Sequence, residues 1–418
     1  MENKRVWIFN HYAGIPSTTN GSRHYSFAKY LLKAGYPVTV FASSAIHNTN
    51  INLIESTEEY IINDCEGIPF VYIKTRNYQG NGKSRILNML DYYKGLLKAT
   101  NNFEKPGIII ASSVHPLTLV AGIKIAKKLG VPCICEVRDL WPESLAAYGI
   151  IKENNRMLKL LYAGEKWIYK KADKLIFTME GGREYIIDKG WGNAVDLNKV
   201  FHINNGVDLE VNNYNKDNFV LNDVDLNDNK KFIVIYTGSI RRVNKVGLLL
   251  DAASLLKNNG YETISFIIYG DGDELDSLRQ RVINENISNV IFKGRVEKKY
   301  IPYITSKGQL NIILGESLPL FKYGVSMNKL FDYFASGKPV LSTFKTGYSI
   351  IEKYQAGIEI SDNSGSMIAD SILYFYNMDR NRYEEYCNNA LRAARDYSFK
   401  ELTDKLIGVI NLTRVRQT

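Results

Sequence analysis

The sequence has no run of about 18 consecutive apolar residues, which excludes a membrane-spanning helix. Its opening, MENKRVWIFNHYAG, holds a charge and a short apolar run that soon meets Asn10 and His11. It reads as a first β-strand, not a signal peptide. Cysteine is scarce: Cys65, Cys133, Cys135 and Cys387. Cys133 and Cys135 alternate in VPCICEVRDL, a strand-like pattern whose one-residue spacing does not suit a metal knuckle. His11, His24, His47 and His202 form no metal spacing with the carboxylates, so no metal site is expected. Few cysteines and no disulfide framework indicate a reduced, cytoplasmic setting. There is no serine elbow and no Cys–His pair for nucleophilic catalysis. The glycine fingerprint of dinucleotide sites is incomplete as well. IIYGDGDE offers Gly270 and Gly272 but no third glycine, and Asp273 and Glu274 would repel a pyrophosphate there. The net charge is +9, yet lysine and arginine are dispersed and no DNA- or RNA-binding signature exists. Nucleic acid is therefore not an expected partner, and the charge leans slightly toward an anionic membrane surface.

What is present is a rhythm. RVWIFN, PVTVFAS, GIPFVYIKT, PGIIIASSV, VPCICEVRDL and DKLIFTM read as strands, separated by amphipathic helices such as GSRHYSFAKYLLKAG. Strand–helix alternation predicts a parallel sheet covered on both faces. At residues 208–231 Asn and Asp make up half of the chain and apolar residues are scattered, which marks a polar linker. The rhythm then restarts with KFIVIYTGSI. The expected class is α/β with two Rossmann-like parallel-sheet domains facing each other across a cleft. Residues 1–207 form the first, 208–231 the linker and 232–385 the second, and helices over 386–418 pass back toward the first. Open α/β sheets bind ligands beyond the carboxyl ends of their strands, so informative residues should follow strands.

Three such places lie in the second half. In YTGSIRRVNKVG a strand ends at Gly238, which permits a tight turn or a close ligand approach. Arg241, Arg242 and Lys245 follow before the next helix and suit a diphosphate. Alone, they read rather as a solvated, basic helix entry. Gly270 ends a second strand, where the backbone can meet a base or ribose. The third place is GVSMNKLFDYFASGKPVL, residues 324–341. Ser326 or Asn328 is expected to cap a helix whose free N–H groups point at an anion, with Lys329 beside them. Asp332 shares that face three residues on and can accept hydrogen bonds from a ribose diol.

In the first half the loop FNHYAGIPSTTNGSRHY holds Gly14, Gly21, Ser22 and Arg23 between the first strand and helix, a connector placed to border the cleft. His115 follows the buried strand GIIIASSV. Arg138 and Asp139 follow VPCICEV; Asp139 is placed to meet an acceptor hydroxyl, whereas Arg138 can equally pair with Asp139 or Glu136. Glu165 reads as a structural cap or pair.

NNGVDLE, YTGSI…K…LLDAA, IIYGDGDE, NVIFKGRV and NKLFDYFASGKPVLS occur in this order. Together they resemble the donor domain of retaining GT-B-fold glycosyltransferases of the family 4 type. GSRHYSFAKYLLKAGYPVTVFAS and EVRDLWPESL are similar to the branch that builds O-antigen, capsule and colanic acid. The resemblance implies a UDP-sugar donor, no cofactor, no metal and retention at the anomeric carbon. It implies that Lys245 contacts the diphosphate, that Asp332 holds the ribose and that His115 lies beside the transferred sugar. Two positions depart from the family pattern. Gly324 stands where the first Glu of the E-x7-E motif would be, and Ser239 replaces an arginine whose charge Arg241 or Arg242 supplies. The acceptor it implies is a polyprenyl-diphosphate-linked saccharide, met at the inner face of the cytoplasmic membrane by a peripherally associated protein. The helix over 84–99, with Arg85, Lys94 and Lys98 among apolar residues, is the expected lipid contact. The expected function is transfer of an N-acetylated amino sugar. A UDP-sugar 2-epimerase-like isomerase and a non-catalytic nucleotide-sugar scaffold are the alternatives.

Overall fold

The computed structural model describes residues 3–16, 23–47, 49–80, 82–152 and 154–414. The chain divides into two compact units, Met1–Asn204 with Phe399–Thr418, and Asn205–Ser398.

In unit 1 the described strands are β1 (Val6–Phe9), β2 (Val38–Ser43), β3 (Tyr60–Cys65), β4 (Ile68–Ile73), β5 (Ile108–Ser112), β6 (Cys133–Val137), β7 (Lys174–Phe177) and β8 (Val200–His202). They form one sheet in the order β3-β4-β2-β1-β5-β6-β7-β8. Every pair is parallel except β3 with β4. Every residue of β1, β2, β5 and β6 is buried, which is why these strands are near-continuous apolar runs. The sequence reading omitted β3. Its residues alternate between half-buried and exposed, as on a sheet edge, so it lacks the apolar density of its neighbours. It pairs with β4 through Glu66 (φ 55°) and Gly67 (φ 80°), two successive left-handed residues that make a tight hairpin turn. The helix Phe399–Arg414 packs on Arg23–Lys33, with the Phe27 and Phe399 rings edge to face at 5.5 Å.

Unit 2 holds β9 (Phe232–Thr237), β10 (Ile264–Tyr269), β11 (Val290–Gly294), β12 (Leu310–Ile313), β13 (Val340–Ser342) and β14 (Gly357–Glu359), all parallel in the order β11-β10-β9-β12-β13-β14. Alternation along β9 feeds two cores: Val234 and Tyr236 join the cluster around Leu250 and Ile268, and Ile233 and Ile235 join Ile267 and Ile304 on the opposite face.

The expected linker is folded. Asp208 caps the helix Leu209–Asn218 by accepting from the Val211 N–H. Lys293 pairs with Asp223 and Asp225 at 2.8 and 2.6 Å, and Leu226 is buried in the second core. Its Asn and Asp residues cap and turn a packed segment of unit 2. The chain changes unit after Asn204 and again after Ser398, so the helix Arg380–Asp396 stays with unit 2.

Candidate functional site

In unit 2 the ends of β9 and β10 meet backbone to backbone. Gly238 has φ +145°, and a Cβ on Gly270 would lie 1.8 Å from the Gly238 carbonyl oxygen. Both positions need glycine, one for conformation and one for space. Above them sits the helix Asn328–Ala335, clamped to the strand end by Tyr333. The Tyr333 hydroxyl accepts from the Thr237 N–H at 2.9 Å and from the Thr237 hydroxyl at 3.2 Å.

This clamp sets Lys329 over the turn. Its Nζ stands 4.5 Å from the centre of the Tyr236 ring and 3.5 Å from the Tyr236 hydroxyl. A Cβ on Gly238 would meet that Nζ at 2.6 Å. Among the described residues Lys329 has no carboxylate partner, and desolvation brings its ammonium down to about 8. A cation taken out of water without a counter-charge is poised for an anionic ligand. Neither Ser326 nor Asn328 caps this helix, contrary to expectation. Met327 occupies the cap position and makes no side-chain bond. The Ser326 hydroxyl instead accepts from the Asn205 N–H, and its carbonyl from the Asn205 amide, both at 3.1 Å. The first-turn N–H groups of Asn328 and Lys329 are thus left without a partner among the described residues. Asp332 is half-buried on the next turn, its pKa raised by desolvation, and its carboxylate makes no hydrogen bond or ion pair among the described residues.

Lys245 is left-handed (φ 50°) and ends the short 3-10 turn Arg242–Asn244. Its Nζ lies 3.6 Å from Glu316 Oε2 on the loop after β12, an exposed pair that a stronger anion can displace. Arg241 and Arg242 are exposed on the same turn. Unit 2 therefore brings Gly238, Gly270 and Lys329 together at the carboxyl ends of β9 and β10, with Asp332 on the same helix as Lys329 and Lys245 on the turn that follows β9.

Unit 1 arranges its residues differently. His115 is buried, its Nε2 engaged with His11 Nδ1 at 2.5 Å, and burial brings it down to about 3. Both rings are therefore neutral at pH 7. His115 Nδ1 has no partner among the described residues. It borders a cavity of about 20 Å³ that Asp139, Glu165 and Tyr169 also line, room for a single water. His115 thus forms a buried imidazole pair with His11, on whose ring Tyr92 stacks at 4.6 Å. Arg23, at the overlap of the expected loop and the expected helix, belongs to the helix. It opens the helix Arg23–Lys33 and its guanidinium is committed to Glu136 at 2.8 Å and to the carbonyls of Ile203 and Asn204. The guanidinium holds the Glu136 carboxyl well below the usual carboxylate range against its burial. Arg138 pairs with neither Asp139 nor Glu136 among the described residues; its N–H donates to Ser113 Oγ at 2.9 Å and its Nε is buried without a partner. Asp139 is exposed and Gly14 buried, and Gly21 and Ser22 lie outside the described residues.

Comparison with known proteins gives this geometry a family. Residues 22–211 match the model for Glycosyltransferase Family 4, and residues 231–378 that for Glycosyl transferases group 1. The chain belongs to the GT-B glycosyltransferases. The glycosyltransferase shares its fold with sucrose-phosphate synthase from Thermosynechococcus elongatus (TM-score 0.70, 14% identity, 98% of each chain covered). It shares it also with α,α-trehalose 6-phosphate synthase from Burkholderia multivorans (TM-score 0.72, 11% identity, all of each chain). HepE of Anabaena, solved in complex with UDP and glucose, overlays at TM-score 0.66 and 14% identity over 97% of this chain and 99% of that one. The probable glycosyltransferase WbjE of Pseudomonas aeruginosa is 22% identical over 246 residues, spanning 59% of this chain and 59% of its own length.

Several residues of this glycosyltransferase's sites escaped the sequence reading. Tyr236 and Tyr333 look like ordinary strand and helix aromatics until their hydroxyls are placed. Glu316 stands 16 positions before Asp332 and outside the family spacing, so only folding brings it to Lys245. His11 carried a signal, since it follows the first strand as His115 follows the fifth. Glu165, read as a cap or pair, is a buried carboxyl that accepts from Tyr169 and Tyr185 at 2.6 and 2.9 Å and is pushed up to about 8 by desolvation.

Proposed function

We propose that the protein transfers a sugar, an N-acetylated amino sugar, from a UDP donor held by unit 2 to a lipid-linked saccharide acceptor held by unit 1. The observation that carries this reading is the Lys329 ammonium over Gly238, without a carboxylate partner among the described residues, beside first-turn N–H groups and one turn from an Asp332 carboxylate that are likewise unpartnered among them. That set matches a nucleoside diphosphate in order: cation and amides for the phosphates, acceptor oxygens for the ribose. The complexes of HepE with UDP and with UDP-glucose support the donor class.

In this reading charge gathers on the departing diphosphate as the glycosidic bond breaks. Lys329, Lys245, an arginine of the 241–242 pair and the helix amides stabilise it, which is electrostatic catalysis by groups already in place. These three cations and the helix amides do the work that a metal ion does elsewhere, and the reaction proceeds without one. The leaving phosphate oxygen accepts the proton of the incoming hydroxyl on the same face of the sugar, and configuration is retained. Arg138 and Asp139 contact the acceptor. The setting is surface-polysaccharide assembly (O-antigen or capsule) at the inner face of the cytoplasmic membrane. A panel of UDP-sugars, with and without a lipid-linked acceptor, tests it. Acceptor-dependent release of UDP is the expected result; conversion of a UDP-sugar without acceptor, or binding without turnover, contradicts it.

A further inference from the structure

The helix Arg156–Lys171 carries two apolar stripes. Leu158, Ile168 and Tyr169 are buried on one side of it. On the other, Met157, Leu160 and Trp167, three and seven residues apart and so on one side of the helix, are 56%, 67% and 39% exposed. Ile150, just before the helix, is 67% exposed. A helix packed on a globular core ordinarily turns a polar face to water, so a second apolar stripe asks for a second apolar phase.

On the helix itself every charge but the buried Glu165 is basic. Lys152, Arg156, Lys159, Lys166, Lys170 and Lys171 make no ion pair with a carboxylate among the described residues, whereas Lys98, Arg76, Lys189 and Arg281 elsewhere do. The buried acid of the helix, Glu165, is bonded to two tyrosines and offers these bases nothing. Six unneutralised cations around exposed Leu, Met and Trp complement a surface that is anionic outside and apolar beneath. The helix Lys83–Ala99, expected from sequence to be the lipid contact, is less suited. Its Arg85 is held by the Tyr12 hydroxyl at 3.1 Å, and its Lys98 is paired with Glu59.

We propose that this face of unit 1 docks on an anionic phospholipid bilayer, with Met157, Leu160 and Trp167 at the boundary of headgroups and acyl chains. No described helix is long and apolar enough to cross the membrane, so attachment here is in the plane of the interface. The inference rests on the reading above only for its purpose, delivery of the transferase to a lipid-linked acceptor.

The full chain is mixed with vesicles of phosphatidylcholine alone, and with vesicles also holding about 30% phosphatidylglycerol, at roughly 0.1 M salt. Sedimentation is expected to show at least about tenfold tighter binding to the anionic vesicles, weakened by added salt. Tryptophan emission should shift to the blue on binding, and Trp167→Phe should remove most of that shift. The double variant Leu160→Glu, Trp167→Glu should lose about tenfold or more in vesicle affinity, with circular dichroism and UDP binding as in the parent. Equal binding to both vesicle types, equal binding of parent and double variant, or a stripe that joins two copies in solution without vesicle binding overturns the proposal. Vesicle binding lost with UDP binding kept sinks this inference alone; UDP binding absent with vesicle binding kept sinks the transferase reading alone.

Discussion

Lys329 is the residue on which donor binding turns, because its partly desolvated ammonium has no carboxylate partner among the described residues. Replacing one preorganised donor of this kind costs on the order of 100-fold in rate or more, so Lys329→Ala and Lys245→Ala should each nearly abolish turnover while leaving the fold intact. An initial-rate assay beside a circular dichroism spectrum checks both. Lys329 also predicts a pH profile. Its free ammonium titrates near 8, so UDP affinity should fall as pH rises through that value, and Lys329→Arg should flatten the fall. Gly238→Ala forces a side chain into the left-handed region and against the Lys329 amine. A loss of about 1–3 kcal/mol in unfolding free energy, with weakened UDP binding, is the expected outcome.

At the scale of elements, the helix Arg156–Lys171 contains a pH-dependent term through Glu165. Its folded pKa lies above its unfolded value, so the protonated form is favoured by folding. The stability this gives is full below about 4.5 and is lost as pH rises toward about 8, at up to about 1.4 kcal/mol per pH unit. Chemical denaturation across that window should show the decline, and Glu165→Gln should remove it. The elements themselves were largely legible in the sequence. Strands buried on both faces announce themselves as apolar runs, and Gly238 and Lys329 stood out because they follow strand ends, where open α/β sheets bind their ligands. Side-chain partners were not legible. That Arg23 belongs to Glu136, and that Ser326 serves Asn205 and not its own helix, depends on residues more than a hundred positions apart. The segment 208–231 misled for a related reason: Asn and Asp serve caps and turns as readily as linkers, and one buried Leu226 is too small a signal.

At the scale of the whole molecule, the C-terminal helix Phe399–Arg414 belongs to unit 1 although the chain reaches it from unit 2. Deleting 399–418 should therefore expose Phe27 and the apolar side of Arg23–Lys33 and lower the stability of unit 1, with donor binding by unit 2 retained. Proteolysis read by mass spectrometry distinguishes the two units in that experiment. The account as a whole stands on where the nucleotide binds, and calorimetric titration of UDP into the parent protein and into Lys329→Ala tests this most directly. Saturable binding by the parent, weakened about tenfold or more in a variant that keeps the parent's fold, is the predicted result. Equal UDP affinity in the two proteins would contradict it.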